Sequence, residues 1–415
     1  MTKPPLPSLA GAEWLQRAET QAVFRALAAA GFAARAVGGV VRNALMGLPA
    51  TDIDIATPAR PEQTIAACRT AGLATVPTGI EHGTVTVVVH SQPLEVTTLR
   101  ADVETDGRHA TVAFTDDWAA DASRRDFTIN ALYCDADGTV HDPLGGYADL
   151  VAHRVRFIGD PDQRIAEDYL RILRFFRFHA VLGAGALDPA GQAAAIRGRA
   201  GLQRLSAERV RVEVLKLLVA PRASDAVAAM MDCGLLTQIL GVAPRPGVLA
   251  ALIQAERLAQ AGPDAILRLS ALTLAVGENR NELADRLRLS NAVREALIVV
   301  DLDLCRQFDG LETRAARRLL YRFGPASWRR SVLGAMAAMP ENQRAAMLPL
   351  LALPQIWPMP KLPVKGADVL AHGMQPGPAV GALLKDLEDW WVASDFPSAA
   401  AVRDRLAALA AERKG

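Results

Sequence analysis

Residues 38–57 read Gly38-Gly39-Val40-Val41-Arg42-Asn43-Ala44-Leu45-Met46-Gly47-Leu48-Pro49-Ala50-Thr51-Asp52-Ile53-Asp54-Ile55-Ala56-Thr57. A glycine pair opens an apolar helix start, and two aspartates one residue apart then enter a β-branched run. Side chains alternate faces along a strand, so Asp52 and Asp54 are expected to point the same way, with Cα atoms roughly 6–7 Å apart. Carboxylates so placed can share magnesium ions, which take hard oxygen ligands. A two-metal centre lowers the pKa of an attacking hydroxyl and neutralises charge on a transferring phosphate. Gly38 and Gly39 allow close approach of a phosphate to backbone amides at a helix start, and Arg42 adds a cation to that cradle. A lone Asp-x-Asp pair fits a solvated strand edge equally well. Preceded by Gly-Gly-x-x-Arg, it reads as a phosphate-transfer site.

The neighbouring segments extend the same picture. Residues 14–31 read as an amphipathic helix ending at Gly31, and Thr84–Val89 and Leu94–Leu99 as strands. Glu95, between Leu94 and Val96, is a candidate third carboxylate able to act as a base; the plainer alternative is a strand acid paired with Arg100. Residues 102–117 are polar and turn-rich and read as a loop. In Arg124-Arg125-Asp126-Phe127-Thr128-Ile129-Asn130, two arginines, an acid and an amide suit triphosphate and ribose contacts, although a helix start with surface arginines has the same letters. Asp168, Arg171, Arg174 and Arg177, led by Glu167, recur every three residues and are expected to form a slanted stripe on one helical face. Alone this is an amphipathic helix with internal ion pairs. Beside a phosphate-transfer head, a carboxylate can accept from an exocyclic amine while a guanidinium donates to a ring acceptor. Cytosine and adenine both carry an amine beside such an acceptor.

Composition sets the outer bounds. The 415 residues allow several domains at roughly 150 residues each. With 51% hydrophobic and 22% charged residues, the chain is not disordered throughout. A net charge of +1 excludes bulk polycation binding to nucleic acid and leaves only local patches. The dispersed Cys68, Cys134, Cys233 and Cys305 form neither a disulfide framework nor a zinc finger, and the seven histidines show no H-E-x-x-H. No apolar leader and no membrane-length run appears, so the expectation is a cytoplasmic protein without membrane contact. From about residue 162 onward the periodicity is helical. The expected fold is an α+β head followed by an all-α remainder.

In order, G-G-x-V-R (38–42), D-I-D-I-A-T (52–57), E-V-T-T-L-R (95–100), R-R-D-F-T-I-N-A-L (124–132), D-P-L-G-G-Y-A-D-L (142–150) and E-D-Y-L-R-I-L-R (167–174) resemble the class II tRNA nucleotidyltransferases. These are the CCA-adding enzymes and the similar bacterial poly(A) polymerases, with heads of the DNA polymerase beta type. Weaker echoes follow at residues 206–210, 366–368 and 377–381. The resemblance implies a nucleotidyltransferase head at 1–152, a helical neck at 153–225, a body at 226–340 and a tRNA-binding tail at 341–415. It implies that Asp52 and Asp54 hold Mg2+. It places Gly38, Gly39, Arg42, Arg124 and Arg125 at the nucleotide's phosphates and sugar, with Asp126 at the ribose. Asp168 and Arg171 would face the base with Arg174 and Arg177 nearby, and Glu167 would orient the arginines. Asn43 departs from the family, which usually has Asp there.

The implied activity is template-independent addition of CMP and AMP, from CTP and ATP, to the 3′ end of tRNA with release of pyrophosphate. Alternatives are a poly(A) polymerase, an enzyme adding only CC or only A, and a catalytically dead RNA-binding scaffold. A small-molecule nucleotidyltransferase would share the Asp-x-Asp logic without needing the long helical remainder. Arginines at 197, 199, 204, 209 and 211, and at 314, 317, 318 and 322, fit either phosphate contact or plain solvated helix faces.

Overall fold

A computed structural model describes residues 6–50, 52–102, 112–273, 279–300 and 302–413. The chain divides into two compact units, Met1–Ile239 and Leu240–Gly415.

The first unit begins with helices Glu13–Gln16 and Ala18–Ala29, where the sequence predicted one helix; the chain breaks at Arg17, which is extended at φ −58°, ψ 135°. The strands are β1 (Arg35–Val37), β2 (Asp54–Thr57), β3 (Ala74–Gly79), β4 (Thr84–Val89), β5 (Gln92–Thr98), β6 (Arg100–Asp102), β7 (Val112–Phe114), β8 (Tyr133–Cys134) and β9 (Val140–His141). Seven of them form a sheet in the order β3-β4-β5-β2-β1-β8-β9. β2 and β5 run parallel; the other pairings in this sheet are antiparallel. The parallel pair needs a crossover, and the helix Pro61–Thr70 with the β3–β4 hairpin supplies it.

Alternation fixes which face is which. Val85, Val87, Leu94, Val96 and Ile55 are all 2% exposed or less on one face. Each such side chain is worth about 1.5–3 kcal/mol of burial. A one-residue slip would turn this whole set to solvent, so the register is strongly specified. The opposite face carries Asp54 and Glu95, which are register partners across β2 and β5.

Of residues 102–117, expected as a loop, Asp102 closes β6 and Val112–Phe114 form β7; the two strands pair antiparallel, Arg100 opposite Phe114. Residues 103–111 of that loop lie outside the described residues. After the helix Gly146–Val151 the described elements are helical. Phe127, Phe157, Phe175 and Phe178 join head and helices in one aromatic cluster, with ring centroids 4.8–6.3 Å apart. The second unit is all helix and holds separate cores, one around Trp328, Phe308 and Met336, the other around Leu383, Leu387 and Trp391. No helix of the described residues is long and apolar enough to cross a membrane.

Candidate active site

Within the first unit a cleft of about 560 Å³ opens over the polar face of the sheet. Asp52 and Asp54 line it together. Asp54 is the first residue of β2, while Asp52 precedes the strand. Glu95 does not line the cleft but stands one strand over, beside Asp54. Asp54 meets solvent through the cleft yet is closely surrounded by protein. That desolvation, and then the charges of Glu95 and Asp52, push its carboxyl above the usual range, against a smaller opposing pull from Arg125. Carboxylates crowded in this way favour a cation between them. No cluster of three metal-ligating side chains forms among the described residues. A magnesium-type ion fits such a donor set, because it keeps several waters and takes phosphate oxygens besides one or two carboxylates.

Facing these acids is a wall of cations. Gly38 precedes the helix Gly39–Leu45 at φ 74°, ψ −121°, a conformation costly for any residue with a Cβ. Arg42, on that helix, is 8% exposed. It donates from Nη1 to Asn130 Oδ1, and from Nη2 and Nε to Asn43 Oδ1 at 2.9 and 3.2 Å. Its guanidinium lies 4.9 Å from the centre of the Phe178 ring. Burial, and then the charge of Arg177, pull its pKa down to about 10, with Asp126 opposing and Arg174 adding to the fall.

Arg124 and Arg125 reach the cleft from the end of the helix Trp118–Ser123. Asp121, 1% exposed, holds both. Its Oδ1 accepts from Arg124 Nε at 3.0 Å and from the backbone N of Arg100 at 3.2 Å; its Oδ2 accepts from Arg125 Nη2 at 3.0 Å and Tyr133 Oη at 2.8 Å. Burial alone would raise its pKa, but Arg125 and Arg124, helped by the Tyr133 hydroxyl, lower it below the usual carboxylate range. Asp126 is nearly buried and also held low: Arg174 Nε donates to Oδ2 at 2.7 Å and Asn130 Nδ2 to Oδ1 at 2.9 Å, which together outweigh the upward push of burial. Glu213, from the helix Ala207–Leu218, accepts from Arg177 Nε at 2.5 Å and lies 3.7 Å from Arg174. The face of Phe178 carries Arg177 at 4.1 Å and Arg174 at 5.2 Å.

The segment 142–150 holds this wall from behind. Asp142 caps the helix Gly146–Val151 through the Gly146 and Tyr147 amides at 2.7 and 3.1 Å. A Cβ on Gly146 would stand 2.0 Å from the Thr128 carbonyl oxygen, so only glycine fits. Asp149, fully buried, accepts from Thr128 Oγ1 at 2.7 Å.

The expected stripe from Asp168 to Arg177 is interrupted. One helix, Pro161–Glu167, ends before Asp168, which is extended at φ −153°, ψ 105°; a second, Leu170–Leu182, carries Arg171, Arg174 and Arg177. All four residues still line the cleft. Asp168 accepts from the amide of Leu170 at 3.1 Å and from Arg209 Nη2 at 2.6 Å, so its break from the helix is stabilised locally. Glu167 does not line the cleft; its Oε2 accepts from Arg171 Nη1 at 2.5 Å and Arg164 Nη1 at 2.7 Å.

Several residues of the site escaped the sequence reading. Asp121, Arg164, Glu213, Tyr133 and Phe178 carry no motif of their own. Arg164, 6% exposed, donates to the backbone carbonyls of Arg124 and Arg125, fixing the chain that bears them. Asp121 alone left a trace, three residues before Arg124 on a short helix. Of the scattered arginines, Arg209 pairs with Asp168, and Arg197 with Asp162 on the surface.

Comparison with known proteins agrees with this geometry. Residues 34–156 match the family described as the Poly A polymerase head domain, and residues 187–250 match one described as the probable RNA and SrmB-binding site of polymerase A. The mitochondrial CCA tRNA nucleotidyltransferase 1 of Danio rerio is 36% identical over 88% of this chain and 84% of its own length. The CCA-adding enzyme of Latilactobacillus sakei is 33% identical over 92% of this chain and 95% of its own. The crystal structure of the Bacillus stearothermophilus CCA-adding enzyme in complex with CTP superposes with a TM-score of 0.68 at 29% identity, over 91% of this chain and 93% of that one. Likeness that extends along nearly the whole length leads to one placement: this chain belongs to the family of CCA-adding enzymes, the CCA tRNA nucleotidyltransferases.

Proposed function

We propose that this protein adds CMP and AMP to the 3′ end of tRNA, using CTP and ATP and releasing pyrophosphate. The observation that carries the reading is one cleft lined by Asp52 and Asp54 together with a wall of arginines. A triphosphate brings the opposite charge to the arginines and oxygen ligands to the carboxylates. Relatives named for CCA addition, one of them solved with CTP, support the choice of nucleotides.

In the reaction the tRNA 3′ oxygen attacks the α-phosphorus in line. A new P–O bond forms, the bond to the oxygen bridging to the β-phosphorus breaks, and pyrophosphate leaves with that electron pair. In this reading Glu95, the register partner of Asp54 although not itself in the cleft lining, takes the hydroxyl proton. Mg2+ held by Asp52 and Asp54 would supply charge neutralisation at the transferring phosphate. Arg42, Arg124 and Arg125 bind and orient the phosphates, with Gly38 and Gly39 giving them close approach to the backbone. Asp126, with Asn130, meets the ribose. Asp168 and Arg171 read the amine and ring acceptor shared by cytosine and adenine; uracil and guanine present the reverse pattern. Positioning and electrostatics then account for most of the rate. The division into head, neck, body and tail, and a reducing cytoplasmic setting for four unpaired thiols, belong to the same proposal.

Asp52→Ala or Asp54→Ala is expected to abolish incorporation with the fold intact; near-normal turnover with magnesium would overturn the metal assignment. Asp168→Ala is expected to blur the choice among CTP, ATP, UTP and GTP, and unchanged selectivity would remove the base-reading role.

A further inference from the structure

Three guanidiniums of the cleft converge on one ring. Phe178 belongs to the helix Leu170–Leu182, is 5% exposed, and is the single apolar side chain of the cleft lining among the described residues. Arg177 stands over its ring at 4.1 Å from the centre, Arg42 at 4.9 Å and Arg174 at 5.2 Å. Arg174 and Arg177 come from the ring's own helix, one turn earlier and next to it; Arg42 comes from the helix Gly39–Leu45. The ring also meets Phe127 edge-on at 5.5 Å, which seats it on the aromatic cluster that joins head and helices.

Gathering three cations is costly. After burial, the charges of Arg177 and then Arg174 lower the pKa of Arg42, against the favourable charge of Asp126. Acids offset part of the repulsion. Asp126 binds Arg174, Glu213 binds Arg177 and lies 3.7 Å from Arg174, and the charge of Asp168 favours Arg174 as well. The hydrogen bonds of Arg42 run to the amide oxygens of Asn43 and Asn130. The Phe178 ring meets all three guanidiniums. An aromatic face carries partial negative charge and attracts a cation within about 6 Å, more strongly where water is excluded.

We propose that Phe178 is a positioning residue for the triphosphate: its ring gathers Arg42, Arg174 and Arg177 into one cationic seat spanning two helices before the nucleotide arrives. This rests on the nucleotidyltransferase reading above. Phe178 makes no bond to the nucleotide in it; it acts through the arginines.

A ring that only fills space and a ring that attracts cations respond differently to fluorine, which drains the negative face and nearly keeps the size. Phe178 is replaced in the full-length protein by mono-, di- and trifluorinated phenylalanine, and extension of a tRNA transcript lacking its CCA is followed. KM for CTP and for ATP is expected to climb with each fluorine, reaching at least about tenfold with three, while kcat changes far less. Both nucleotides shift together, because the phosphates are common to them. Inhibition by inorganic tripolyphosphate, which presents charge without base or ribose, weakens in the same order. The same series at Phe308, a buried ring in the core of the second unit, leaves KM unmoved. Phe178→Leu removes the ring outright and raises KM at least as far; the fluorinated series stands by itself should that variant fold poorly. A KM independent of the number of fluorines at Phe178, or one that shifts equally at Phe308, would make the ring a space-filler and overturn the proposal. Wild-type protein that neither extends tRNA nor is inhibited by tripolyphosphate would instead refute the underlying functional reading.

Discussion

On the strand side of the cleft, Asp52 and Asp54, with Glu95 beside them, crowd like charges, and the carboxyl of Asp54 is pushed above its usual range. On the helix side, Asp121 and Asp126 are drawn below theirs by the arginines they hold. The strand side is electrostatically unfavourable by itself. The helix side is complete before any ligand arrives, with Arg124, Arg125, Arg174 and Arg177 locked by the buried acids Asp121, Asp126 and Glu213. Strain is thus stored where chemistry is expected, and order is built where a substrate must be held.

That contrast can be broken at four points, from the largest effect to the smallest. Asp126→Asn leaves Arg174 with only the longer pairing to Glu213, 3.7 Å away, and is expected to cost about 3 kcal/mol, measured by denaturant unfolding at neutral pH. Because the folded pKa of Asp126 lies below the unfolded value, its contribution is present above about pH 4 and is lost as pH falls through the folded pKa. The gap between wild type and variant should therefore close in acid; a constant gap would mean the charge is not what stabilises. Asp121→Asn keeps the shape but frees Arg124 and Arg125, and kcat/KM should fall about tenfold to hundredfold, carried mainly by KM. An unchanged KM would show that the arginines hold their places without it. Asp54→Asn removes a crowded charge and, in metal-free buffer, should raise Tm by a few degrees while activity disappears; a lower Tm would deny the strain on the strand side. Asp162→Ala breaks an exposed ion pair with Arg197 and should leave Tm and activity unmoved.

The strand side, together with the Arg42 helix just before it, was legible in the sequence because its parts are local. Gly38 to Thr57 holds the helix start, Arg42 and both aspartates in one stretch, and β-branched runs marked β4 and most of β5 as strands. The α+β head with helices after it followed from the same patterns. The helix side was legible only in its arginines. Asp121 and Glu213 are single acids in ordinary helices, and what they do depends on contacts formed by folding: Glu213 meets Arg177 across 36 positions. Arg164 is likewise a lone helical arginine until its guanidinium meets the 124–125 carbonyls. The break at Asp168 was hidden because a three-residue spacing looks helical whether or not the chain stays helical between the charges. Arg209, which holds Asp168 after the break, carries no signal beyond being one basic residue among many.

The account is tested most directly on a tRNA transcript lacking its terminal CCA. Incubated with the protein, CTP, ATP and magnesium, its 3′ ends should, on sequencing, show C, C and A added in that order and growth stopped there. Ends carrying a run of A, or no added nucleotide, would contradict it.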